Sequence, residues 1–155
     1  MTDDKKVFAP GNSFCILSSL VACDGIPFLG KQYTVIGVAM EPTLHDGERV
    51  TASSVNRELQ RGDIVVYTRP DSNDAIKRII GLPGETIEVK GGQVYIDGTE
   101  LEEPYLMEQG QTILEEPLLI PEGYYFVMGD NRKNSYDSRI HGPIAEDSIT
   151  GIVNR

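Results

Sequence analysis

Cysteine and histidine are scarce in this chain, with two of each among 155 residues. Cys15 and Cys23 cannot complete a zinc site alone, and His45 and His141 stand at no ligand spacing from them, so no metal site is expected. The cysteines are as compatible with a small disulfide loop as with free thiols, so they do not fix the redox compartment. Basic residues are also few: 14 Lys and Arg against 24 Asp and Glu leave a net charge of -10. Phosphate binding needs a basic face, so nucleic acid is excluded as the main partner. The same charge favours solubility and weakens any hold on anionic lipid. Long apolar runs are missing too. The longest, Phe14 to Cys23, is interrupted by Ser18 and Ser19, whereas a spanning helix needs roughly 20 apolar residues. Asp3, Asp4, Lys5 and Lys6 give it a mixed flank, which argues against a secretory signal. No helical period of useful length follows residue 60, and there is no internal repeat.

Apolar residues make up 39% of the chain and charged residues 25%. That suffices for a packed core in one domain, or one domain with a small inserted lobe. Short runs of valine, isoleucine and tyrosine are separated by glycine and proline. They predict strands over 33–38, 49–52, 64–67, 75–80, 86–90, 93–97, 124–128 and 148–153. Thr86 to Lys90 alternates, Gly91-Gly92 turns, and Gln93 to Asp97 returns, which is a hairpin signature. Residues 100–122 are acidic, hold three prolines and read as an extended excursion. Asn56 to Leu59 reads as a short helical turn. The fold expected is mainly β, with antiparallel sheets in a partly closed barrel-like core and a small inserted β lobe. Residues 1–30 differ in texture and read as an appendage.

Three segments carry chemical potential. In GVAMEPTL (37–44) a strand runs into a turn where Pro42 fixes φ. A side chain there is held rigidly at a surface, but the residue is Ala39, so read alone this is an ordinary strand-to-turn junction. In Ala75 to Ile80, alternation sets Lys77 and Ile79 opposite Ile76 and Arg78, so one basic residue points to an apolar face. A buried lysine loses its proton more readily and can act as a general base. The plain alternative is an edge strand whose lysine snorkels to water. The segment 129–139 is dense in hydrogen-bonding groups after a hydrophobic strand. Extended backbone would put Asp137 and Arg139 on one face as an ion pair, and a polar Asx-rich loop is the plain alternative. His45 and His141 read as surface turn residues. Glu102-Glu103 and Glu115-Glu116 read as solvated faces.

Together these segments resemble the boxes of type I signal peptidases, serine proteases with a Ser/Lys dyad that remove signal peptides. GVAMEPTL (37–44), RGDIVVY (61–67), IKRIIGLPGE (76–85) and GDNRKNSYDSRIHGP (129–143) match that family's boxes in order and spacing, and the resemblance covers about 33–155. The last box distinguishes this family from self-cleaving repressors, which share the dyad. The resemblance implies a nucleophile at position 39, Lys77 as general base, Ser135 as the group orienting the lysine, and Asp137 with Arg139 as a bracing pair. The N–H of residue 39 would help hold the oxyanion. Gly37 stands where some relatives have a second, hydroxyl donor. Val35, Ile36, Met40, Leu44 and Ile76 match positions lining the pockets for residues -1 and -3 of the signal peptide. That peptide would lie extended beside 33–38 and beside 74–77, which includes Asp74 and Ala75. The division implied is a core of 31–84 and 123–155 with an inserted lobe of 85–122. No cofactor, metal or nucleotide is implied. The implied partners are signal peptides of exported preproteins and a membrane surface.

The sequence departs from the family at two places. Position 39 is alanine where the family has serine, and without a hydroxyl no acyl-enzyme forms. Two origins compete: a deliberate serine-to-alanine change in an otherwise intact motif, or a natural non-catalytic homologue serving as a peptide-binding or assembly module. The first is favoured, because Lys77, Ser135, Asp137 and Arg139 all match. The second departure is the N-terminus, where the family has membrane-spanning helices and this chain has residues 1–30. The expectation is a membrane-anchored parent with its catalytic domain on the extracytoplasmic side, and a soluble form lacking that anchor. A sharper reading takes Phe14 to Cys23 as an apolar run ending in small residues and sets Ser18 to Asp24 in the cleft of its own or a neighbouring chain as a tethered substrate mimic.

Overall fold

The computed structural model describes residues 30–108, 110 and 114–155. Residues 1–29 of the 1–30 appendage, with the proposed mimic at 18–24, lie outside the described residues. β-branched and aromatic runs favour a pleated, packed surface, and punctuation by glycine and proline keeps each run short. The strands are β1 (Lys31–Thr34), β2 (Arg49–Ser53), β3 (Ile64–Thr68), β4 (Asp74–Gly81), β5 (Thr86–Lys90), β6 (Gln93–Ile96), β7 (Thr99–Glu100), β8 (Leu114–Leu119), β9 (Tyr124–Met128), β10 (Ile144–Ala145) and β11 (Ile149–Val153). One four-residue helix, α1 (Ser138–His141), precedes β10.

Seven strands form an antiparallel half-barrel in the order β1-β2-β11-β3-β4-β9-β10, and a separate four-stranded sheet runs β7-β6-β5-β8. The expected mainly β, antiparallel architecture is therefore found. β3 is central, so it is buried on both faces. Val65 and Tyr67 join Ile79, Val127 and Ile149 on one side, while Ile64 and Val66 join Val35, Met40, Leu44 and Val50 on the other. This is the period of two expected of a strand. Burying each such side chain contributes about 1.5–3 kcal/mol. A third cluster ties the sheets together, packing Ile80, Phe126 and Met128 against Ile87, Val89, Val94 and Ile120.

Several boundaries differ from the sequence reading. The first strand ends at Thr34 rather than 38, because Gly37 takes φ +84° and turns the chain out of the sheet. That conformation is open to glycine and strained for side chains with a Cβ. Asn56 to Leu59 is not helical; it is an irregular segment with a bend at Arg57. The excursion 100–122 contains β8 and the end of β7, which pair with β5 and β6. Their prolines and acidic residues obscure the alternation. The Gly91-Gly92 hairpin is found, with both φ values positive.

The topology leaves one gap that matters. β9 pairs with β4 only from Arg78 onward, so the stretch 74–77 has one edge without a strand. The half-barrel curls β1, at the end of the sheet, back toward this edge, and Lys31 Nζ comes within 3.8 Å of Asp74.

Candidate active site

A cleft of about 590 Å³ opens between the chain 33–40 and the exposed edge of β4. Val35, Ile36, Gly37, Ala39, Met40, Asp74, Ala75, Ile76 and Lys77 line it, together with Tyr33, Thr34, Arg69 and Asn73. Every residue chosen from the sequence for the peptide-binding region is there except Leu44. Leu44 is fully buried in the core beneath the turn, where it packs with Met40 and Val50. Its N–H bonds to the Met40 carbonyl at 2.9 Å, so the turn after Ala39 folds it inward. Ile36 is 90% exposed at the cleft rim.

Lys77 lies on the floor, only 7% exposed. Its Nζ donates to the Ile76 carbonyl at 3.0 Å. Burial is the largest influence on this amine and pulls its pKa below the ordinary lysine value. The nearby Asp137 carboxylate opposes that shift, and Arg69 adds to it. The snorkelling alternative therefore does not hold. Both basic residues of the strand are buried, on opposite faces. Arg78 keeps its charge by donating Nε and Nη2 to Asp130 at 2.9 and 2.7 Å and Nη1 to the Gly62 carbonyl at 2.9 Å.

Asp137 and Arg139 pair, but not through extended backbone. Asp137 caps α1, accepting the Arg139 N–H at Oδ1, and the Arg139 guanidinium closes a two-point contact with both oxygens at 2.8 Å. Gly129 N–H also donates to Oδ2 at 2.9 Å. Burial pushes this carboxyl upward, but the Arg139 hydrogen bonds and charge, with the Gly129 N–H, outweigh it and hold the pKa below the usual carboxylate value. The Ser135 hydroxyl sits close enough to favour the carboxylate as well, yet it forms no hydrogen bond of ordinary geometry. Its Oγ is buried without a partner among the described residues. The expected bond from Ser135 to Lys77 is thus not formed, because the amine turns to its own strand's carbonyl.

Gly129 joins the halves of the site. A Cβ there would overlap Ser135 Oγ and lie 2.5 Å from the Ala39 carbonyl oxygen. The same carbonyl accepts the Asn131 N–H at 3.0 Å. Gly37 N–H is engaged too, donating to Asp46 at 2.7 Å. Sequence reasoning missed Gly129, and it misread Glu103. Far from being solvated, that side chain is 4% exposed and receives Arg132 Nη1 and Nη2 at 2.9 and 2.5 Å. This pair fastens the segment after β7 to the 129–132 loop. His141 is half-buried rather than on the surface, its Nε2 3.3 Å from the Tyr67 hydroxyl. His45 is exposed as expected. Among the described residues no cluster of His, Cys, Asp and Glu could hold a metal ion.

A family model described as signal peptidase, peptidase S26, matches residues 12–155. The chain belongs to the signal peptidase family. Signal peptidase I of Bacillus licheniformis is 45% identical over 157 aligned positions, covering 90% of this chain and 84% of its own length. Signal peptidase I T of Bacillus subtilis is 46% identical over 138 positions, covering 80% of this chain and 72% of its own. A crystal structure of a signal peptidase I from Enterococcus faecalis superposes with a TM-score of 0.55 at 34% identity, covering 63% of this chain and 98% of that one. The family match begins at residue 12, so it takes in Cys15 and Cys23, which the motif comparison had left outside. Among the described residues no helix is long and apolar enough to cross a membrane.

Proposed function

We propose that this chain is a signal peptidase I domain whose reacting position is occupied by Ala39, so that it binds signal peptides of exported preproteins without cutting them. One observation carries this reading: a buried lysine with depressed basicity shares the peptide-sized cleft with Ala39. With serine at 39, neutral Lys77 would take the hydroxyl proton as the oxygen attacks the scissile carbonyl. The resulting oxyanion would be held by the N–H of residue 39. Collapse would expel the mature amine, which takes its proton from Lys77. Water giving its proton to the Lys77 amine would then attack the acyl carbon, and the ester bond to the residue-39 oxygen breaks as that oxygen regains a proton from Lys77. Alanine removes the first step. Asp137 and Arg139 position the loop that carries Ser135, and Ser135 would orient the lysine once the site is engaged. The core is 31–84 with 123–155, and the inserted lobe is 85–122. Signal peptidase I homologues are membrane-anchored with the catalytic domain on the extracytoplasmic side, and this domain would meet its preproteins there.

Restoring the hydroxyl tests this. Ala39→Ser should cleave a preprotein substrate, and adding Lys77→Met should abolish the cleavage. An Ala39→Ser protein that binds peptide but does not turn over would favour the other reading, which Ala39 itself motivates: a natural non-catalytic homologue that holds exported proteins for another enzyme.

A further inference from the structure

Two cavities meet at Arg69. It lines the cleft with Ala75 and Lys77, and it also lines a second cavity of about 490 Å³ bounded by Tyr67, Tyr136, His141 and Ile144. The turn that bears it is pinned at both ends: Arg69 N–H donates to the Asn73 carbonyl and Ser72 N–H to the Arg69 carbonyl, each at 2.9 Å. The guanidinium is poorly satisfied. Its Nε is buried without a hydrogen bond among the described residues. Asp71, 55% exposed, stands 3.5 Å from Nη2, longer than a charge-assisted hydrogen bond. In a chain of net charge -10, this is a cation held at a cleft wall with donor capacity to spare.

The pleat decides what would meet it. Tyr67 pairs with Ala75 and Val66 with Ile76, so Ala75 and Lys77 share the face of Tyr67, and Ile76 shares the face of Val66. A peptide added in extended form along 74–77 repeats this alternation. If its side chains -1 and -3 enter the apolar side lined by Val35, Met40 and Ile76, side chains -2 and -4 turn toward Ala75, Lys77 and Arg69. Resting on the peptidase reading above, we infer that Arg69 and the second cavity form a subsite for the even-numbered upstream residues, selecting an aspartate or glutamate at -2 or -4. Asp74, on the cleft wall, is partly neutralised by Lys31 and accepts from the Thr68 hydroxyl at 2.9 Å. It therefore does not cancel the attraction.

The test uses the full chain with Ala39 and labelled decapeptides spanning -6 to +4 of a signal-peptide cleavage region, titrated by fluorescence anisotropy. Glutamate at -2 or -4 should bind about fivefold more tightly than its glutamine isostere, the range for a partly exposed charge pair. That ratio should fall to about one in Arg69→Gln, persist in part in Arg69→Lys, and invert in favour of lysine peptides in Arg69→Glu. The same exchange at -3 should give a ratio that none of these variants changes. A glutamate preference that survives in folded Arg69→Gln overturns the inference, as does its absence from the unmodified chain. If no peptide binds at all, the peptidase reading fails and this inference fails with it. Binding that ignores Arg69 overturns the inference alone.

Discussion

Replacing Asp137 by asparagine tests the site's support at its most constrained point. Each carboxylate oxygen serves two donors. Oδ1 accepts from Arg139 Nε and from the Arg139 backbone N–H, and Oδ2 accepts from Arg139 Nη2 and Gly129 N–H. Whichever way an amide is turned, its NH₂ faces two donors and two hydrogen bonds are lost. The Arg139 side chain is 3% exposed and Asp137 is not exposed at all, so little water is at hand to compensate. Breaking a buried pair in this way costs about 3–5 kcal/mol. The assay is urea unfolding followed by circular dichroism, with stability compared at pH 7 and at lower pH. Because the folded-state pKa of Asp137 lies below its unfolded value, its contribution is fully present above about pH 4, the ordinary aspartate range, and is lost as pH falls through the folded value. The gap between the parent chain and Asp137→Asn should therefore narrow on acidification. A gap under 1 kcal/mol at pH 7, or one that stays constant with pH, would refute the reasoning.

Lys77→Met in the Ala39 chain should raise stability at pH 7 by about 1–3 kcal/mol, since it removes a buried amine that makes one hydrogen bond among the described residues. That gain should shrink as pH climbs toward the ordinary lysine value, because the parent gains stability once its folded-state amine is neutral while the unfolded one still binds a proton; urea midpoints across pH 7–11 check this. Gly129→Ala should cost about 1–3 kcal/mol in thermal unfolding and weaken peptide binding several-fold, because the added Cβ meets both Ser135 and the Ala39 carbonyl. Glu103→Gln should destabilise by about 3 kcal/mol or more by leaving Arg132 short of its charged partner, and hydrogen exchange should rise over residues 101–108.

The four boxes, read along the chain, sufficed for the family, and the short alternating runs between glycines and prolines sufficed for the β class. These are local signals: alternation gives Lys77 its face, and glycine and proline give the turns. What alternation could not say is how a charge on a buried face is tolerated. Arg78 and Arg132 find Asp130 and Glu103 through contacts between segments 52 and 29 residues apart. No local pattern distinguishes such a glutamate from a solvated one. Leu44 likewise was expected at the cleft because its place in the motif matches a pocket-lining position of the family, whereas the turn after Ala39 buries it in the core.

The residue types and their order thus determined, without any coordinates, that this chain belongs with the signal peptidases and that alanine stands at position 39 of the first motif. Tertiary structure decided the rest: that β9 stops short and leaves an edge of β4 open, that the amine of Lys77 turns to Ile76 instead of Ser135, and that Arg69 stands where two cavities join. Each depends on how a curled sheet brings distant strands together in space, and periodicity along the chain carries no record of that.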